Sequence, residues 1–361
     1  MTPFDTARAE AFAGQMVGHL NGAAVALMTS LGHRTGLFDA LRDQPPLTSA
    51  QLAAAAGLSE RYVREWLGAM TVGGVVEHDP AANTYSLPAE HAAVLTRGAS
   101  PNNLAASMQW VGVLGGVEDE VAAAFHHGRG VPYSAYRRFH EVMAEESDQT
   151  TVAGLVDHIV PLVPGLAGRL REGIDVLDVG CGAGRALARL AELFPASRFV
   201  GYDASVEAVG AAHYRARALG LRNVRYVVRD AATMHDRAAF DLVTAFDAIH
   251  DQADPAGVLR NVAAALRPAG VFLMQDIKAC SCVGGNLGLP LGPFVYAVSC
   301  MHCMSVSLAN GGAGLGAAWG KELALEMLAA AGFRDVRVES LPHDILNLYY
   351  VAGHPPVMRT R

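Results

Sequence analysis

Asp175-Val176-Leu177-Asp178-Val179-Gly180-Cys181-Gly182-Ala183-Gly184 is an apolar, β-branched run that gives way to alternating glycines, and the Ala/Leu-rich stretch Arg185 to Leu193 follows at once. The pattern predicts a buried strand, a tight turn and a helix. Glycines at such a turn admit positive φ and remove Cβ atoms, while the free N–H groups opening the helix face any polar ligand above them. Alone, Gly-x-Gly-x-Gly fits a dinucleotide-binding enzyme or a purely structural strand-to-helix turn equally well.

The residues downstream narrow the choice. From Ile174 onward, apolar runs alternate with Ala/Leu-rich helical segments, the pattern of an α/β domain with a doubly wound, Rossmann-like parallel sheet. A second strand, Arg198 to Asp203, ends in a carboxylate suited to accept two ribose hydroxyls. A third, from Val224, ends at Asp230-Ala231, where an acid suits the exocyclic amine of adenine. A fourth, Phe240 to Asp247, runs into a loop holding His250. All four positions fall at carboxyl ends of strands, where open parallel sheets bind ligands.

Upstream, Phe12, Met16, Leu20, Ala23, Leu27 and Leu31 recur at helical spacing, so one amphipathic helix presents a face that a partner surface must cover, a second subunit being one candidate. Leu47 to Ala53, with Thr48 or Ser49 as cap and Gly57 as stop, reads with the segment after Ser59 as a helix-turn-helix. Gly73 to His78, a turn at 79–83 and Thr84 to Leu87 read as a two-stranded wing. Three regions are expected: a helical and winged-helix module over 1–95, a helical connector covering a substrate pocket over 96–165, and the sheet domain over 166–361. The would-be recognition helix, Glu60 to Trp66, carries as many acids as bases, which weakens attraction to phosphate.

With 361 residues, 51% hydrophobic and 17% charged, the chain can bury a large core and is not of disordered composition. Its formal charge of -7 speaks against binding nucleic acid by phosphate neutralisation. The N-terminus has no basic start followed by an apolar core, so a cytoplasmic protein is expected. The apolar region from Val271 to Val306 is broken by Gln275, Asp276, Lys278, glycines and prolines, which makes it a poor membrane span.

The ordered set of strand ends resembles the class I S-adenosylmethionine-dependent methyltransferases over roughly 174–353. The resemblance implies S-adenosyl-L-methionine as cofactor, with its amino-acid half on Asp178, Gly180, Cys181, Gly182 and Gly184, its ribose on Asp203 beside Ala204, its adenine on Asp230 and Ala231, and Asp247 completing the site. Ala331-Gly332-Phe333 and the strand-like runs after it resemble the family's closing helix and antiparallel strands. The N-terminal module is similar to that of small-molecule O-methyltransferases, in which it dimerises and helps close the substrate site. A homodimer acting on a small-molecule acceptor is therefore expected, with no nucleic acid or membrane partner. In that subgroup a His-Asp pair follows the fourth strand and the His is the general base. His250-Asp251 occupies this position here, although Gln252 stands where an aromatic usually follows. The arrangement also looks like bacterial methyltransferases of unassigned substrate.

A sulfonium methyl is already activated, so the protein's task is to align a nucleophile and remove its proton, for which a neutral imidazole is suited. Oxygen is the expected acceptor atom. A loop His that caps a helix or only orients substrate is the alternative reading of His250. Cys280-Ser281-Cys282 and Cys300-Met301-His302-Cys303 contain enough soft ligands for zinc, but Ser299 to Leu308 also reads as one buried helix in which cysteines are small apolar residues, and no metal is expected. Three other functions remain open: metal-assisted C-methylation of a 2-oxo acid with His250 and His302 around the ion, a cofactor-sensing winged-helix regulator, and a nicotinamide oxidoreductase.

Overall fold

Asp5 caps a 30-residue helix, Thr6–Thr35, by accepting a hydrogen bond from the Arg8 N–H, and Gly36 at φ 74° ends it in the left-handed conformation. This computed structural model describes residues 3–353. The Thr48 side chain and Gln51 cap the helix Ser49–Ala56 reciprocally, and Glu60–Val72 follows as the second helix of the motif. The wing is shorter than expected. Only β1 (Glu77–Asp79) and β2 (Thr84–Ser86) pair, antiparallel, because Gly73 and Gly74 close the preceding helix, and the Val75 and Val76 N–H groups bond back to the Met70 carbonyl rather than across a sheet. The arginines of Glu60–Val72 are paired within that helix, Arg64 to Glu60 at 2.6 Å and Arg61 to Glu65 at 2.5 Å.

The core of this unit centres on Trp66, whose ring packs edge-on against Phe38 at 5.2 Å and whose Nε1–H donates to the Met28 carbonyl at 2.8 Å. Gly32 admits that contact, since a Cβ there would run into both rings. The unit ends at Gly115 and a second begins at Gly116, so residues of the expected connector 96–165 fall in both units. Gln109–Gly115 packs on the first helix, while Leu155, Ile159, Val160 and Val163 are core residues of the second unit.

In the second unit β3 (Asp175–Val179), β4 (Arg198–Asp203), β5 (Val224–Val228), β6 (Phe240–Phe246), β7 (Leu266–Ile277), β8 (Arg334–Glu339) and β9 (Asn347–Gly353) form one sheet in the order β5-β4-β3-β6-β7-β9-β8. β9 runs antiparallel to β7 and β8 antiparallel to β9, with the remaining pairs parallel. Successive residues of a strand face opposite sides, and the core divides accordingly. Leu177, Val243 and Phe272 pack in one layer, whereas Val176, Leu242 and Leu273 pack in the other. The doubly wound reading of the sequence is thereby realised, and the order reverses at β3, which opens a crevice beyond its carboxyl end. The opposite ends of the strands are pinned by Arg198 to Asp175 at 2.6 Å and by Arg267 to Asp175 at 2.8 Å and Asp241 at 2.5 Å. The segment Leu266-Arg267-Pro268-Ala269-Gly270 is part of β7, carried as a register shift with Ala269 at φ 66°.

Ser299 to Leu308 is helical as expected, with a π-helical turn at Ser299–Cys303 inside a longer run. That run, Gly292–Ala309, is by length and composition apolar enough to cross a membrane, at mean hydropathy 1.3. Part of it is buried against the protein, where Tyr136 O–H donates to the Met301 carbonyl and the Val131 N–H to Ser305 Oγ.

Trp66→Ala is expected to lower the stability of the N-terminal unit by about 3–5 kcal/mol, read as a shift in the denaturant midpoint with the slope unchanged.

Candidate active site

The three loop glycines are of two kinds. Gly180, Gly182 and Gly184 all have positive φ, at 70°, 51° and 68°. A Cβ on Gly180 would strike the Ala248 side chain and one on Gly184 the Tyr226 ring, whereas one on Gly182 meets nothing within 4 Å. Packing inside the protein therefore demands Gly180 and Gly184, and Gly182 alone bares backbone to a ligand. The Cys181 side chain is buried beneath Gly201 in the core, and its N–H is engaged by the Tyr202 carbonyl at 3.1 Å.

Asp203 closes this loop. Its Oδ2 accepts the Gly182 N–H at 2.9 Å and its Oδ1 the Ser205 N–H at 2.8 Å, and each oxygen keeps a second lone pair for a hydroxyl. Ala204 is exposed between them. Asp230 is exposed and caps the turn Ala231–Thr233 through the Ala232 N–H, while Asn261 holds the carbonyls of Ala231 and Ala232 at 3.2 and 2.8 Å. Asp178 lies under the loop. Burial pushes its carboxyl up to about 7, against a hydrogen bond from Thr244, and the nearby Asp203 charge adds to the rise. Asp247 ends β6 at φ 48°. Its Oδ2 accepts from the Gln275 amide at 3.3 Å, and its buried Oδ1 has no partner. Burial, then the charge of Asp276, raises the Asp247 carboxyl well above the usual range. A bared backbone, a fixed acid for hydroxyls and a buried carboxylate oxygen awaiting a donor fit the cofactor implied by the sequence, whose amino-acid end carries an ammonium group.

Beyond β6 the side chains pair differently from their order in sequence. His250 Nδ1 lies 2.7 Å from Asp276 Oδ1, with both residues fully buried. The same oxygen accepts Trp319 Nε1–H at 2.8 Å and the Ile277 N–H at 2.8 Å. Asp251, expected as the partner of His250, instead accepts Tyr133 O–H at 2.6 Å. In the tight loop after β6 the two adjacent side chains diverge to different elements. Burial lowers the affinity of His250 for a proton, but Asp276 and the adjacent Cys303 outweigh it, so its pKa stands well above the usual imidazole value. Cys303 lies beside His250, and burial pushes its thiol up.

Asp276 and Trp319 are the site residues that sequence reasoning missed. The available signal was an acid inside an apolar strand, because a buried carboxylate requires partners.

A roof of aromatic side chains adjoins this pair. His302 stacks on Phe139 at 4.0 Å and meets Tyr133 and Tyr136 edge-on at 5.3 and 4.8 Å. Burial holds His302 at a pKa of about 3, which leaves it a neutral ring. These rings are tied to the loop after β6 by Tyr133–Asp251 and to the turn after Asp203 by His140 Nε2–Ser205 Oγ at 3.1 Å. Among the described residues no group of three or more His, Cys, Asp or Glu side chains is placed to hold a metal ion.

Gly182→Ala is expected to fold at a cost of about 1–2 kcal/mol for the left-handed backbone while weakening cofactor affinity in calorimetric titration. Gly180→Ala and Gly184→Ala are expected to lose more stability, visible in thermal melts without ligand, because each adds a clash to the same strain.

Residues 23–97 match the family described as Rv2258c-like winged HTH domain, and residues 170–330 match the family described as methyltransferase domain. The chain is 32% identical to trans-aconitate 2-methyltransferase of Azoarcus sp. over 106 residues, covering 29% of this chain and 40% of that protein. It spans about 40% of the length of such curated relatives. Human N-acetylserotonin methyltransferase, solved in complex with S-adenosylmethionine, superposes over 98% of this chain and 99% of its own with TM-score 0.68 at 18% identity. Mitomycin 7-O-methyltransferase superposes over 97% and 100% with TM-score 0.68 at 17% identity. At such identities the likeness is one of fold. Residues 23–97 are thus similar to an Rv2258c-like winged-helix domain and residues 170–330 to a methyltransferase domain, and the fold is that of the solved methyltransferases.

Proposed function

We propose that the protein transfers the methyl group of S-adenosylmethionine to an oxygen of a small, largely apolar organic acceptor, with His250 as the base. The observation that carries the reading is the buried His250–Asp276 pair, in which a carboxylate holds Nδ1–H and the second ring nitrogen is left to take a proton. The bound cofactor supplies a sulfonium-activated methyl. Asp203 holds its ribose hydroxyls, Asp230 and Ala231 its adenine, Gly182 the backbone of its amino-acid half, and the buried acids Asp178 and Asp247 lie towards its ammonium group. On the acceptor side, the rings of Tyr133, Phe139 and His302 exclude water, and the acceptor hydroxyl replaces the Cys303 thiol, a weak hydrogen-bonding partner, at His250. Asp276 fixes the tautomer and stabilises the imidazolium that forms.

The sign of the pH dependence follows from His250. Its raised pKa keeps the ring protonated at a pH where a free imidazole has lost its proton, so turnover should climb with pH through a limb above about 6.5. His250→Asn, which can still donate to Asp276, is expected to cut kcat by about 10²–10⁴ with cofactor affinity kept. Unchanged turnover defeats the assignment. Asp276→Asn is expected to lower kcat and move the surviving limb to lower pH, since the charge that raised the His250 pKa is gone.

Homodimerisation belongs to the same reading. Phe12, Met16, Leu20, Leu27 and Leu31 stand exposed on the long helix, Leu20 at 70%, an apolar face suited to a second copy. Phe12→Asp with Leu20→Asp is expected to convert a dimer to a monomer in light scattering. A wild-type monomer at all concentrations refutes the assembly.

A further inference from the structure

Cys280 and Cys282 lie three and five residues beyond the β7 carboxyl end and take no part in the reaction above. Their sulfurs lie 3.0 Å apart, neither is in a disulfide, and Cys282 is exposed while Cys280 is partly so. The loop that holds them is built for this approach. Asn286 Oδ1 accepts the Cys280 N–H at 2.8 Å, and its amide donates to the carbonyls of Cys280 and Cys282. Gly285 leaves room where a side chain would strike Cys280 Sγ. The hydrogen bond from Cys280 and one from the Gly285 N–H hold the Cys282 thiol below its usual pKa, while the Cys280 thiol is raised. One sulfur is thus the readier thiolate and its neighbour the resolving thiol.

The residue between them leads inward. Ser281 Oγ donates to the Trp319 carbonyl at 2.8 Å and accepts the Leu323 N–H at 3.1 Å, and the Ser281 N–H donates to Glu322 at 2.8 Å. Gly320 lies so close that a Cβ on it would overlap the Ser281 backbone. Trp319 in turn donates its ring N–H to the Asp276 oxygen that holds His250. One serine and one tryptophan thus connect the Cys280-Ser281-Cys282 backbone to the Asp276–His250 pair.

We propose that Cys280-Ser281-Cys282 is a redox-active dithiol that exchanges with low-molecular-weight disulfides, and that closing it disturbs the Trp319–Asp276–His250 line. The Cys282 thiolate attacks the small disulfide, forming a mixed disulfide and expelling one thiolate. Cys280 then gives up its proton, attacks Cys282 Sγ and expels the second, so the protein loses two electrons and two protons and the small disulfide is reduced to two thiols. The effect on turnover rests on the assignment of His250 as base, but the exchange itself does not.

The test treats the full-length protein with glutathione disulfide and maps its peptides by mass spectrometry, alongside turnover and cofactor titration. The expected result is a Cys280–Cys282 disulfide, a several-fold fall in kcat with cofactor affinity kept, and recovery with dithiothreitol. Cys280→Ser and Cys282→Ser should keep the basal rate, lose this response, and trap at most a mixed disulfide. Stable glutathione adducts in the wild type, or no reaction at these thiols, overturn the dithiol. A mapped disulfide with kcat unchanged overturns the coupling. If His250→Asn proves fully active while the disulfide still forms, the base assignment fails and the dithiol stands.

Discussion

A carboxylate with no access to water organises the loop after β6 in this molecule. Asp276 is fully buried in the central part of a sheet, where an unpaired charge is costly. It is tolerated because the imidazole of His250, the indole of Trp319 and the Ile277 N–H converge on one oxygen. Those donors come from three segments far apart in the chain, so satisfying the acid also fixes where the loop after β6 and the entry to the helix Gly320–Ala330 must lie. The other oxygen is buried without a partner. Strain of this kind is expected where a protein stores chemistry rather than stability.

How much of this was legible in the sequence depends on the range of each interaction. The glycine turn, Asp203 and Asp230 were readable because a strand followed by a tight turn is a local pattern, and the sheet order places those turns together. Asp276 and Trp319 were not, since an acid inside an apolar strand signals that partners exist but not that they lie 26 and 43 residues away. Adjacency misled in the opposite sense at Asp251, which follows His250 in sequence but bonds to Tyr133, 118 residues distant. The π-helical turns Asp148–Val152 and Leu155–Ile159 also have no periodic signature, because they interrupt the 3.6-residue repeat by which helices are recognised.

The two halves of the candidate site are held by different means. The cofactor half is built from backbone and carboxylates at strand ends, with Asp203 oriented by two N–H groups before any ligand arrives. Such preorganisation removes part of the ordering cost of binding. The acceptor half is built from side chains of the segment 133–140 and of the helical run around His302, resting on one another as rings. Packing of rings is tolerant of shape in a way that hydrogen bonds to strand ends are not. In the function proposed above, acceptor choice can therefore drift while the cofactor half remains unchanged.

The division among the loop glycines bears on what such a motif records over evolutionary time. Gly180 is kept by Ala248 and Gly184 by Tyr226, whether or not a ligand is ever bound. A descendant that had lost catalysis would still need both to fold, and would still display two-thirds of the signature. At Gly182, facing open space, a substitution meets only the strain of the left-handed backbone once the ligand is no longer required, which makes that position the informative one for telling a working enzyme from a retired one.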